Sequence, residues 1–158
     1  MSIPESMRDE LGAWNNGDGI DLDAWIGCEG NFSLAVGYTT LFNPSFVQFE
    51  DYILRGERVD DSFIAYVRSW ENSGDQKRSA KSIEWVINHL HIADTHHGGC
   101  EDISIDKVIL LGNTLKELYQ AKLAYQFPNK ECIVEFYIPE DKEELIDYQI
   151  SFWQKKHD

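Results

Sequence analysis

At Pro128 the apolar residues of this chain change period. From Ser104 to Gln126 they recur at helical spacing, with Val108, Leu111, Leu115, Leu118 and Tyr125 on one side and Ile105, Ile109, Tyr119 and Leu123 on the other. Beyond Pro128, which cannot continue a helix, Cys132, Val134, Phe136 and Ile138 alternate with Ile133, Glu135 and Tyr137. Tyr148, Ile150 and Phe152 likewise alternate with Gln149, Ser151 and Trp153. A two-stranded ribbon is marginal alone, so one of its faces must cover helices. The pattern predicts an α+β fold, predominantly helical, ending in an antiparallel two-stranded β element. The connection from Pro139 to Asp147 is long for a tight hairpin, reads as a helical turn over Asp141 to Ile146, and is strongly acidic.

The preceding sequence reads as helix after helix. Pro4 to Trp14 opens the chain, and Asp21 caps a brief turn through Trp25 that stops at Gly27. Asn31 caps a helix carrying Phe32, Leu34, Tyr38, Leu41 and Phe42. Asn43-Pro44 has the cap-then-proline signature of another, with Phe46, Val47, Phe49, Tyr52 and Ile53 before Gly56. Asp60 or Asp61 opens a segment with Phe63, Ile64, Val67 and Trp70 on one face. Residues 79–97 predict a helix with two apolar stripes. Ile83, Val86, Ile87 and Leu90 form one, Trp85, His89, Ile92 and His96 the other, and Glu84, Asn88, His91 and Thr95 the polar strip between. A helix apolar on two sides is packed centrally. The expectation is one globular domain over residues 1–158, with five to six helices around this central one.

A chain of 158 residues buries roughly 70 % of its unfolded surface, enough for a core without covalent staples. Its 14 basic and 28 acidic residues leave a formal charge of -14, which repels phosphate backbones and argues against nucleic-acid partners. Lys77, Arg78 and Lys81 are its only basic patch. Three cysteines without a Cys-x-x-Cys pair point away from a disulfide framework, and no apolar run has signal or membrane-spanning length, so a cytoplasmic protein without membrane contact is expected.

Four of five histidines fall within nine residues: His89, His91, His96 and His97, with Asp94 among them and a Gly98-Gly99 break ahead of Cys100, Glu101 and Asp102. On a continuous helix His89 and His96 are about 10.5 Å apart in rise, too far for one ion. His91, Asp94 and His97 stand three apart, and with Glu101 beyond the glycines they form the candidate ligand set for a transition metal such as zinc. The opposing reading makes these imidazoles architectural, His97 serving the helix C-terminus.

Two functional expectations follow. The first is a non-enzymatic, cofactor-free acidic module that engages a basic protein partner, as an inhibitor or a toxin-neutralising, immunity-like protein does. Glu140, Asp141, Glu143, Glu144 and Asp147 would supply the charge and Trp153 an aromatic anchor. The second is a metal-dependent enzyme or metal-binding protein built on the histidine cluster. A homo-oligomer is compatible with either.

Overall fold

The computed structural model describes residues 3–12, 14, 20–74, 78–96 and 100–158, Asp9 in its backbone only. Among them six helices, α1 (Glu5–Leu11), α2 (Leu22–Glu29), α3 (Phe32–Phe42), α4 (Asp61–Glu71), α5 (Ala80–Asn88) and α6 (Ile105–Gln126), accompany five strands. These are β1 (Phe46–Phe49), β2 (Tyr52–Arg55), β3 (Leu90–His91), β4 (Cys132–Tyr137) and β5 (Gln149–Gln154). The fold is α+β and mostly helical, with antiparallel strands in two small sheets, the hairpin β1-β2 and the sheet β3-β5-β4. The turn-forming run from Asn15 to Gly19 and the Gly98-Gly99 break lie outside the described residues.

Capping follows the sequence. Asp21, Asn31, Asp60 and Ser79 each accept a hydrogen bond from a backbone N–H of the first turn they precede. The C-terminal strands form where the alternation places them, Val134 opposite Phe152 and Phe136 opposite Ile150.

The helix after Asp21 does not stop at Gly27 but runs on to Glu29, and two longer elements depart from the expectation. The segment after Asn43-Pro44 is a hairpin rather than a helix, turning at Glu50-Asp51, where Glu50 takes φ 51°. Its register puts Val47, Phe49, Tyr52 and Leu54 on one face and Phe46, Gln48, Ile53 and Arg55 on the other. The first face joins Val67 and Ile83 in a cluster under α4 and α5. From the second, Phe46 and Ile53 enter the main core with Leu115, Tyr119, Leu123, Ile150 and Phe152. A strand pair can feed two cores at once, which a single helical stripe cannot, and its aromatic and branched residues suit it.

The helix expected over 79–97 stops at Asn88. His89 turns to extended backbone, Leu90 and His91 pair with Ile150 and Gln149, and Ala93–Thr95 make a short 3-10 turn. The expected polar strip is also inverted, since Glu84 and Asn88 are fully buried. Asn88 Oδ1 accepts from the Arg55 N–H (2.8 Å), and its Nδ2 donates to the carbonyls of Ile53 and Phe152 (2.9 Å each). One turn earlier, Glu84 accepts from the Ile53 N–H (2.7 Å), the Gln154 N–H (2.8 Å) and the Gln154 side-chain amide (2.6 Å). The position of α5 between the two sheets, expected from its two apolar sides, is thus sealed by polar bonds.

Asn88→Ala leaves three buried backbone groups without partners and should lower the unfolding free energy by about 3 kcal/mol. The exposed Asn113→Ala should change it by less than about 0.5 kcal/mol, both read by urea denaturation. Gly112 on α6 sits against β4, where a Cβ would meet the Phe136 ring at 2.2 Å. Gly112→Ala should therefore destabilise by about 1–3 kcal/mol despite the better helix propensity of alanine.

Candidate functional site

The backbone change at His89 divides the histidines. The His89 ring stacks on Trp85 (6.0 Å between centroids, 9° between planes) and meets His91 edge-on at 5.3 Å. Each ring is anchored through Nδ1, His89 donating to the Val86 carbonyl (2.5 Å) and His91 to that of Ile146 (2.6 Å). His96 points elsewhere, its Nε2 lying 2.5 Å from the Tyr38 hydroxyl. Asp94 and Glu101 are exposed, and His97 lies outside the described residues.

The proposed ligand set rested on one helix face running through residue 97. With the helix ending at Asn88, His91 and Asp94 sit on a strand and a 3-10 turn. Among the described residues no three of His, Cys, Asp and Glu stand where they could hold a metal ion.

A second chemical grouping lies behind the cluster. The exposed Cys100 thiol donates to Asp102 Oδ1 at 2.7 Å, an arrangement invisible in the sequence beyond the i, i+2 spacing. That hydrogen bond holds the Cys100 thiol above its ordinary pKa and the Asp102 carboxyl below its own. Tyr38 is likewise raised, by burial first and then by the negative charges near Cys100 and Asp102. A thiol kept protonated is a poor nucleophile.

The acidic connection between β4 and β5 is well built. Asp141 accepts from the Glu143 N–H, residues Leu145–Asp147 form a 3-10 turn, and the Tyr148 hydroxyl donates to the Lys142 carbonyl. With the His91 bond to Ile146, these contacts fix the loop over the sheet. Glu140, Asp141, Glu143, Glu144 and Asp147 are all exposed, and none forms a salt bridge among the described residues. Some carboxylates elsewhere are paired, Glu10 with Lys107, Glu131 with Lys155, Asp51 with Lys156 and Asp158 with Lys81, while others such as Glu29, Glu57, Glu117 and Glu135 form no salt bridge among the described residues.

Trp153 does not share this surface. It is 6 % exposed, with the Lys81 ammonium 4.6 Å above its ring, because its side of β5 is the one α5 covers. The exposed apolar side chains beside the acids are instead Tyr137 (42 %), Ile138 (44 %) and Ile146 (65 %). The sequence signal for them was two isoleucines flanking the acidic run. Trp25 and Trp70 are half-buried.

Comparison of the chain with protein-family models, curated proteins and solved structures finds no match.

In a Cys28→Ser background, Asp102→Asn should speed alkylation of Cys100 by iodoacetamide several-fold at neutral pH. The pH at which the rate rises should move down, because the neutral amide no longer opposes the thiolate; intact-mass kinetics across pH read both.

Proposed function

We propose that this protein is a non-enzymatic binding module that captures a basic protein through the acidic β4–β5 connection. The observation that carries this reading is a run of five exposed carboxylates without a salt bridge, between Glu140 and Asp147, next in the chain to the exposed side chains of Tyr137, Ile138 and Ile146. Unpaired rim charges steer an oppositely charged partner and raise its association rate, while apolar groups desolvated at the centre set how slowly it leaves. Lys142 alone offsets Glu140, Asp141, Glu143, Glu144 and Asp147, so the local field adds to that of the whole chain. A basic toxin or enzyme held by an inhibitor-type protein is the kind of partner this chemistry suits.

The three cysteines are unpaired, in keeping with a reducing compartment, and no described helix is long and apolar enough to cross a membrane. The metal-dependent reading has less behind it, because among the described residues no three of His, Cys, Asp and Glu stand where they could hold a metal ion.

The test begins with affinity capture from cells that make the protein, followed by stopped-flow and surface-based kinetics on the captured partner. The expected partner is basic, with an association rate falling about tenfold or more between low and high salt. Glu140, Glu143 and Glu144 changed together to Gln should slow association, and Ile146→Ala should speed dissociation about tenfold. A partner whose rates ignore salt and all these substitutions defeats the proposal.

A further inference from the structure

Arg55 ends β2 with its N–H held by Asn88, and its side chain reaches toward α3, where one guanidinium nitrogen stands 3.5 Å from the Thr40 carbonyl. No carboxylate pairs with it among the described residues, in a chain with two acidic residues for every basic one. Arg8, Arg58 and Arg68 each have such a partner, and Arg78 lies over the Trp70 ring. The half-buried Arg55 is left with most of its five donors uncommitted.

Those donors border two clefts of about 350 Å³ each, which share Thr40 and Arg55. The first also includes Asn43, Ser45 and Glu57. The second runs between α3 and β3, with Leu34, Leu41 and Leu90 as its apolar lining and Tyr38, Asp94 and His96 as its other titratable groups. At the second cleft the neutral side-chain donors are already used, Thr95 donating to the Ile92 carbonyl. Thr39 and Thr40 donate to the Val36 and Gly37 carbonyls, and the Tyr38 hydroxyl is bonded to His96. The chain from Asn31 to Phe49 contributes no charged residue in nineteen positions. Lys122, also without a carboxylate partner, reaches Asn43 at the first cleft (2.6 Å to Oδ1).

We propose that the second cleft binds a small carboxylic acid, its carboxylate on the Arg55 guanidinium and its hydrocarbon body along Leu34, Leu41 and Leu90. A guanidinium matches a carboxylate in a two-point geometry, and the volume suits a compact organic acid. Glu57 and Asp94, one at each cleft, disfavour a dianion such as phosphate and select a single negative charge. This site shares no residue with the acidic connection, so it stands or falls apart from the function proposed above.

The probes are phenylbutanoate and phenylbutanamide, with the tripeptide acetyl-Gly-Leu-Phe as free acid and as amide, titrated into the full chain and followed by amide NMR shifts and calorimetry. At least one free acid should bind with a dissociation constant of about 1 mM or tighter and move the resonances of Leu34, Leu90 and Asp94. Its amide should bind about tenfold more weakly or not at all, since the charge-assisted pair is lost. Tighter binding of the tripeptide acid identifies a peptide C-terminus as the natural source, and tighter binding of phenylbutanoate a free metabolite-sized acid.

Arg55→Gln should weaken the acid about tenfold, Arg55→Lys less, and Arg78→Gln not at all. If Arg55→Gln fails to give a dispersed spectrum, the Arg55→Lys comparison decides the point. Equal binding of acids and amides, no binding of either acid at about 10 mM, or unchanged affinity in the folded Arg55 variants overturns the proposal.

Discussion

Two strands of this protein are joined by side chains where another fold would insert a strand. Glu84 and Asn88, one turn apart on α5, supply acceptors and donors to β2 on one side and β5 on the other. A backbone group buried without a partner costs more than a typical hydrogen bond contributes, so these two residues decide whether the sheets can approach at all. A fully buried carboxylate is tolerated at Glu84 because two main-chain N–H groups and an amide surround it. The hydrophobic clusters on either side of the β1-β2 hairpin then form around a junction already fixed in geometry.

That junction also explains what could be read in advance and what could not. The long helix α6, the strands β4 and β5 and the helix caps were legible because each rests on a local pattern of period or hydrogen bonding. Residues 46–55 were not, since their apolar spacing fits a helix as well as two short strands; only the presence of two separate cores favours the hairpin. Glu84 and Asn88 misled for a related reason. A polar residue four positions from another on a helix normally marks the solvent face, and nothing local reveals that the backbone of distant strands takes the place of water.

The candidate site was partly legible. The acidic stretch before β5 appears in the sequence as it does in the structure, exposed and unpaired, but its apolar companions did not follow from residue type. Trp153 is the larger side chain and the natural candidate, yet strand alternation turns it under α5. Ile138 and Ile146, unremarkable in sequence, stand in the open. For the histidines the limit was again the backbone. Ligand spacing is a statement about helical geometry, and the chain leaves that geometry at His89, so rings that would share a face instead stack on Trp85 or turn to Tyr38.

Gln154 also reaches back to the Asp51 carbonyl, 103 positions earlier in the chain. α5 can satisfy Ile53 and Arg55 of the hairpin by itself, but the Asp51 carbonyl and the second side of Glu84 and Asn88 wait until β5 has been made and delivered. Such long-range closure is characteristic of slow folding and leaves early intermediates with bare strand edges. During synthesis β2 and α5 are made well before β5, and the junction between the two sheets closes only when that strand reaches them.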